Sequence, residues 1–170
     1  MNRRSLLKNL GLGAAATVAL PAWAVSWTEK SLPASPPLKK ADEAMLRQII
    51  HVIIPKTDTP GALELGVENF VKAMINTMHT EEEKKFFYNQ LAGFDTYVEK
   101  KYQYNFDELS PKGRAECLKE LADAEGTEVQ KFFNILKRYT IQGYTGSEWY
   151  MTEKAGYQYA PGYGHGCVDA

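Results

Sequence analysis
The chain has 170 residues, 44 % of them hydrophobic and 24 % charged, which permits one domain with a real core and argues against disorder as the default. Its 20 basic residues stand against 21 acidic ones for a formal net charge of −1, and no basic patch appears, so nucleic acid is excluded as an expected partner.

Residues 1–24 read as an export signal. Arg3 and Arg4, set in Asn2-Arg3-Arg4-Ser5-Leu6-Leu7-Lys8, resemble the twin-arginine signal, whose translocase carries folded proteins across the bacterial inner membrane. The apolar stretch from Leu10 to Leu20 is about half of the roughly 20 residues a membrane span requires. It therefore reads as a signal core and not as an anchor. Its glycines and alanines make it mildly apolar, which suits the twin-arginine route better than the general secretory one. Ala22 and Ala24 fit the small-residue cleavage pattern, so the mature chain is expected to begin at Val25, in the periplasm. Removing the signal takes away Arg3, Arg4 and Lys8 and no acid, leaving 17 basic residues against 21 acidic.

Residues 25–40 hold Pro33, Pro36 and Pro37 among serines and read as an extended linker or arm. From Asp42 the spacing becomes helical, with Met45, Leu46, Ile49, Ile50 and Ile53 on one face until Pro55. The loop Pro55 to Ala62 follows, with a tight turn at Pro60-Gly61 and Asp58 placed to accept from nearby amides. A second helix carries Val67, Phe70, Val71, Met74, Ile75 and Met78 on one stripe. Thr80 with Glu83 forms a capping box for a third, whose inward residues are Phe86, Phe87, Leu91, Phe94, Val98 and Tyr102, with Gly93 as a weak point. Ser110-Pro111 opens a fourth over Leu118, Leu121 and Ala122. Thr127 and Gln130 give another capping box, and a fifth helix runs through Val129, Phe132, Phe133, Leu136 and Ile141 to Gly143. The expected fold is all-α, a compact bundle of about five helices over residues 41–143.

Residues 144–170 break the period. Tyr144, Trp149, Tyr150, Tyr157, Tyr159 and Tyr163 alternate with glycines, and five of the ten tyrosines of the chain fall here. So aromatic a tail should pack on something. Two readings stay open and are compatible: it folds back across its own bundle, or it lies against another subunit, where tyrosine and tryptophan are enriched.

Candidate chemistry is sparse. Cys117, beside the buried stripe of the fourth helix, reads as a small core residue, whereas Cys167 near the end reads as exposed. In an oxidising compartment Cys167 has three outcomes open: a bond to Cys117, a bond to another chain, or a transient thiol. His51, His79 and His165 are scattered and read as structural, with His79 closing the second helix, and no metal site is expected. Glu81, Glu82 and Glu83 serve a helix start. No serine or cysteine has a base at a recognisable spacing, and no glycine-rich dinucleotide loop, haem-attachment motif or C-x-x-C pair is present. An export route used for cofactor proteins, on a chain without a cofactor motif, points to a companion that carries the cofactor.

Several segments resemble one family. Ile53-Ile54-Pro55, Thr57-Asp58-Thr59-Pro60-Gly61-Ala62 and Gly66-Val67 resemble the opening block of the gluconate 2-dehydrogenase subunit 3 family. Phe132-Phe133, Thr140, Gly143-Tyr144-Thr145-Gly146-Ser147-Glu148 and Pro161-Gly162-Tyr163-Gly164-His165-Gly166-Cys167 are similar to its later blocks, so the likeness covers about Asp42 to Cys167. The resemblance implies a non-catalytic small subunit of a periplasmic, membrane-associated sugar or sugar-acid dehydrogenase complex, acting as export escort and assembly scaffold. Its implied partners are a large flavoprotein of the glucose-methanol-choline type, which holds the FAD, a multihaem cytochrome c with haem c, and the twin-arginine translocase. This chain itself would hold no cofactor. The resemblance further implies Cys167 as the interchain disulfide candidate, and it makes Thr57, Asp58, Pro60 and Gly61 with Tyr144, Trp149, Tyr150, Tyr157, Tyr159 and Tyr163 the candidate interface. Two rival readings are a stand-alone enzyme with a site hidden from sequence and a periplasmic module that stacks sugar rings on its tail aromatics.

Overall fold
A computed structural model describes residues 27–157 of the chain. Arg3, Arg4, Ala22, Ala24, Tyr159, Tyr163, His165 and Cys167 lie outside the described residues. The described part is helical: α1 (Lys40–Ile53), α2 (Val67–Met78), α3 (Glu81–Tyr102), α4 (Pro111–Asp123), α5 (Glu128–Thr145) and the short α6 (Glu148–Glu153), preceded by a 3-10 turn at Glu29–Ser31. The five longer helices match the all-α bundle expected from the apolar periods.

Local chemistry sets the boundaries. Ile54 closes α1 by donating its N–H to Ile50 O, just before Pro55, which cannot continue the helix. Thr80 and Glu83 form a reciprocal capping box at the start of α3, and Gln103, with φ of 61°, ends it in the left-handed region. Ser110 accepts from Gly113 N, and Pro111 stands at the first helical position of α4, where a missing N–H costs nothing. Thr127 caps α5 by accepting from Gln130 N, but the expected box is left half-made. The Gln130 side chain instead accepts from Gly126 N at 3.1 Å and donates to Ala122 O at 2.8 Å, stitching the connection between α4 and α5.

Helix α5 is the central element, in contact with α1, α2, α3, α4 and α6. Phe132 on α5 lies 5.0 Å from Phe87 and 6.2 Å from Phe94 of α3, and Phe94 meets Phe106 of the following connection at 5.3 Å, measured between ring centroids. Such tilted and edge contacts add to the burial of the rings themselves. Ile141, expected on the inner face, is 43 % exposed, because Phe132, Leu136, Tyr139 and Gly143 already define the buried stripe.

Helix α5 also runs past Gly143 to Thr145. Gly143 does not end it; a Cβ there would lie 2.7 Å from Phe70 Cδ1 and 3.0 Å from Val67 Cγ1, so glycine is what lets α2 and α5 approach so closely. The segment expected to be irregular from residue 144 thus begins in a helix and continues into another. Ser147 starts α6 by accepting from Tyr150 N at 3.3 Å.

Candidate functional site
The candidate interface residues within the described part gather at one end of the bundle. The loop after α1 is tied shut by Ala62 N donating to Ile54 O at 3.1 Å and by Thr57 N donating to Thr59 O at 3.1 Å. Gly61 N donates to Glu64 Oε2 at 2.9 Å. A Cβ on Gly61 would sit 2.6 Å from Lys56 N and 2.9 Å from the Pro55 carbonyl carbon, both backbone atoms, so the loop in this form requires glycine at its tip. Asp58, expected to brace the loop, is exposed and makes no hydrogen bond within the described residues; Thr57 takes that part, its Oγ1 lying 3.4 Å from Thr59 N. Thr57 is likewise exposed, and Pro60 is half-buried.

The loop and the aromatic end of α5 meet. Tyr144 O–H donates to Pro60 O at 3.0 Å across 84 positions of sequence. The Tyr144 ring lies 6.2 Å from Trp149 and 5.6 Å from Tyr150 of α6, and Lys154 Nζ stands 5.6 Å from the centroid of Trp149. All three rings are half-buried, so each is held in place yet keeps a free edge. Tyr157, 53 % exposed, continues the aromatic run outward and takes no part in the Tyr144 cluster.

One member was not legible as such. Trp27 stands in the stretch read as a linker or arm, yet only 3 % of it is exposed. Its ring lies 5.3 Å from Phe70, and its Nε1–H donates to Gly143 O at 2.7 Å. Gly143 O is among the last four carbonyls of α5, which have no intrahelical donor, so the indole caps that helix from outside. A lone tryptophan in a Ser/Pro-rich stretch was the available signal. Between this arm and α6 runs an open groove of about 640 Å³, bounded by Trp27, Glu29 and Lys30 on one side and Glu148, Trp149 and Thr152 on the other.

The other candidates stay apart from this end. Cys117 is buried on α4, and burial pushes its thiol up from the usual range, which disfavours the reactive thiolate near neutral pH. Nearby, Glu120 accepts from Tyr102 O–H at 2.6 Å and pairs with Lys101 at 2.5 Å; these contacts hold its carboxyl below the ordinary value, while burial pushes the Tyr102 phenol up. His51 is exposed on α1, and His79 caps α2 with its ring against Tyr139. Glu81 and Glu83 engage Lys84 and Thr80 at the start of α3. Among the described residues no group of three or more His, Cys, Asp or Glu is placed to hold a metal ion. None of the described helices is long and apolar enough to cross a membrane.

What the described residues of this end offer is contact: a pinned loop, three oriented aromatic rings and a groove. Compared with known families, residues 40–162 match the model described as Gluconate 2-dehydrogenase subunit 3, a stretch that takes in the six described helices and the loop. No match was found among curated proteins or among solved structures.

Proposed function
Because the chain belongs to the gluconate 2-dehydrogenase subunit 3 family, with a dehydrogenase as its implied partner, we propose that it is a non-catalytic export escort and assembly scaffold for a large flavoprotein subunit. The setting is a periplasmic, membrane-associated complex that oxidises a sugar or sugar acid. FAD belongs to the large subunit, of the glucose-methanol-choline type, and haem c to a multihaem cytochrome that passes electrons onward. The observation that carries the docking role is the Tyr144 to Pro60 bond. It joins two candidate segments far apart in sequence into one face with half-exposed tyrosine and tryptophan edges, the side chains that most often anchor interfaces.

The export role is supported by Arg3 and Arg4 ahead of the apolar Leu10 to Leu20 stretch and by the absence of a cofactor motif in the sequence. Co-expression of this chain with its large subunit tests it. With Arg3 and Arg4 both changed to lysine, the flavoprotein and its activity are expected to remain in the cytoplasm, whereas the parent pair delivers both chains to the periplasm. Export of the large chain unaffected by the change would end the escort reading.

Cys167 is proposed as the residue that bonds the two subunits, since buried Cys117 presents no accessible thiol in the described fold. Non-reducing electrophoresis of the purified complex should show one band that separates into two with reductant and is lost in Cys167→Ser. A small chain that migrates alone without reductant would remove the disulfide from the scheme.

A further inference from the structure
A second concavity, between the C-terminal end of α2, the start of α3 and the outer half of α5, takes no part in the docking face. It has a volume of about 370 Å³, in the size range of small-ligand sites, and is lined by Met74, Met78, His79, Arg138, Tyr139 and Gln142 with Glu83 at its margin.

Its polar groups are arranged in a definite order. Arg138 Nη2 donates to the phenol oxygen Tyr139 Oη at 3.0 Å, and the guanidinium carbon lies 4.7 Å from the centroid of the same ring. Arg138 is exposed and Tyr139 buried, so the buried ring gives the guanidinium an ordered partner at the solvent-facing rim of the groove. Accepting from Arg138, the phenol has its single proton to give to His79 Nε2, 2.8 Å away. The imidazole then carries its proton on Nδ1, facing Glu83 Oε2 at 3.3 Å. Glu83 is in turn engaged by Thr80: the Thr80 N–H donates to Oε2 at 2.9 Å, and this contact holds the carboxyl below its ordinary value.

The result is a chain of partners, Glu83 to His79 to Tyr139 to Arg138, that satisfies every member except the last. Among the described residues no carboxylate pairs with Arg138. Its remaining N–H groups and the amide of Gln142, one helical turn further along α5, have no hydrogen-bond partner there either. An oriented guanidinium with unused donors, an amide one turn away and an apolar floor of two methionines form a site for a planar anion with an apolar body.

We propose that this groove binds a carboxylate, with Arg138 taking the carboxylate oxygens, Gln142 donating beside it, and Met74 and Met78 receiving the aliphatic part. The chemistry is shared by two sources, a free small organic acid and the C-terminal carboxylate of a polypeptide. The proposal does not rest on the docking role, which uses the opposite side of the α5 terminus through Tyr144.

The test is a nuclear magnetic resonance titration of the full exported chain at low ionic strength, following the Arg138 Nε–H and Gln142 amide signals. The probes are sodium butyrate, butyramide, and acetyl-trialanine with either a free or an amidated C-terminus. Saturable shifts with butyrate assign the site to small acids, and shifts with the free peptide alone assign it to chain termini; in both cases the amides should be inert. Arg138→Gln should weaken binding about tenfold, and Gln142→Leu should weaken it less, with thermal unfolding of both close to the parent. If Arg138→Gln does not fold, Gln142→Leu carries the comparison alone. Absence of shifts with both carboxylates, equal shifts with butyramide, or unaltered binding by a folded Arg138→Gln chain would overturn the proposal.

Discussion

Replacing Trp27 with alanine is expected to destabilise the bundle by about 3–5 kcal/mol, the range for a fully buried large aromatic residue. Against a typical total of roughly 5–15 kcal/mol, such a loss leaves a marginal fold. Two effects combine. The ring fills space against Phe70, and its removal leaves a cavity that the arm cannot close. The indole N–H also satisfies Gly143 O, a helix-end carbonyl that is otherwise buried without a donor. Trp27→Phe separates the two, because it keeps most of the ring and loses only the donor, for an expected cost of about 1–3 kcal/mol. Urea unfolding followed by far-ultraviolet circular dichroism measures both. A Trp27→Ala chain within 1 kcal/mol of the parent would show that the arm is not part of the folded unit. The position of Trp27 gives the result functional weight: it stands two residues after Val25, the expected start of the mature chain. On the proposed export route, a translocase that accepts folded cargo would then receive a signal that ends within a few residues of Trp27, which caps α5. Loss of stability and loss of export are therefore expected together in Trp27→Ala.

The helices were legible because their physics is local. The apolar stripe of Val67, Phe70, Val71, Met74 and Ile75 states a buried face directly, and the Thr80 and Ser110 caps stand at the boundaries that the structure observes. What sequence did not convey are contacts between distant positions. Gly143 reads as a helix stop, since glycine commonly sits there, but its part is to admit Phe70 and Val67, which no local pattern records. Gln130 fits the capping box by spacing and is diverted to Gly126 N and Ala122 O by the turn before α5. Asp58 is the better turn residue by propensity, yet the loop is closed by backbone bonds and anchored from outside by Tyr144. The candidate face was therefore half visible: its aromatic residues stood out by composition, whereas their junction with the loop and the place of Trp27 needed three dimensions.

That junction can be tested apart from the core. Trp149→Ala together with Tyr150→Ala is expected to weaken association with the proposed large subunit by more than about a hundredfold, since interface anchors of this type cost about 2 kcal/mol or more each. The bundle should tolerate the change. Both rings are only half-buried, and α6 is the last of the described helices, short and packed on the end of α5. Tyr144→Phe makes a finer cut, removing the donor to Pro60 O while keeping the ring between Trp149 and Tyr150. The net worth of such a bond is about 1 kcal/mol, or roughly fivefold in affinity. That fivefold appears only if the loop and the aromatic end act as one surface; two separate contact patches would leave binding unchanged. Tyr104, 60 % exposed and outside the candidate face, serves as the control, because Tyr104→Ala removes a ring still more accessible than Trp149 or Tyr150 and should not alter association. Quantitative pull-down of the large subunit at graded concentrations measures all three variants. Equal recovery by the Trp149 and Tyr150 double variant and the parent would move the docking role away from this end of the bundle. A matching loss in Tyr104→Ala would show that exposed aromatic area in general, and not this arrangement of it, holds the partner.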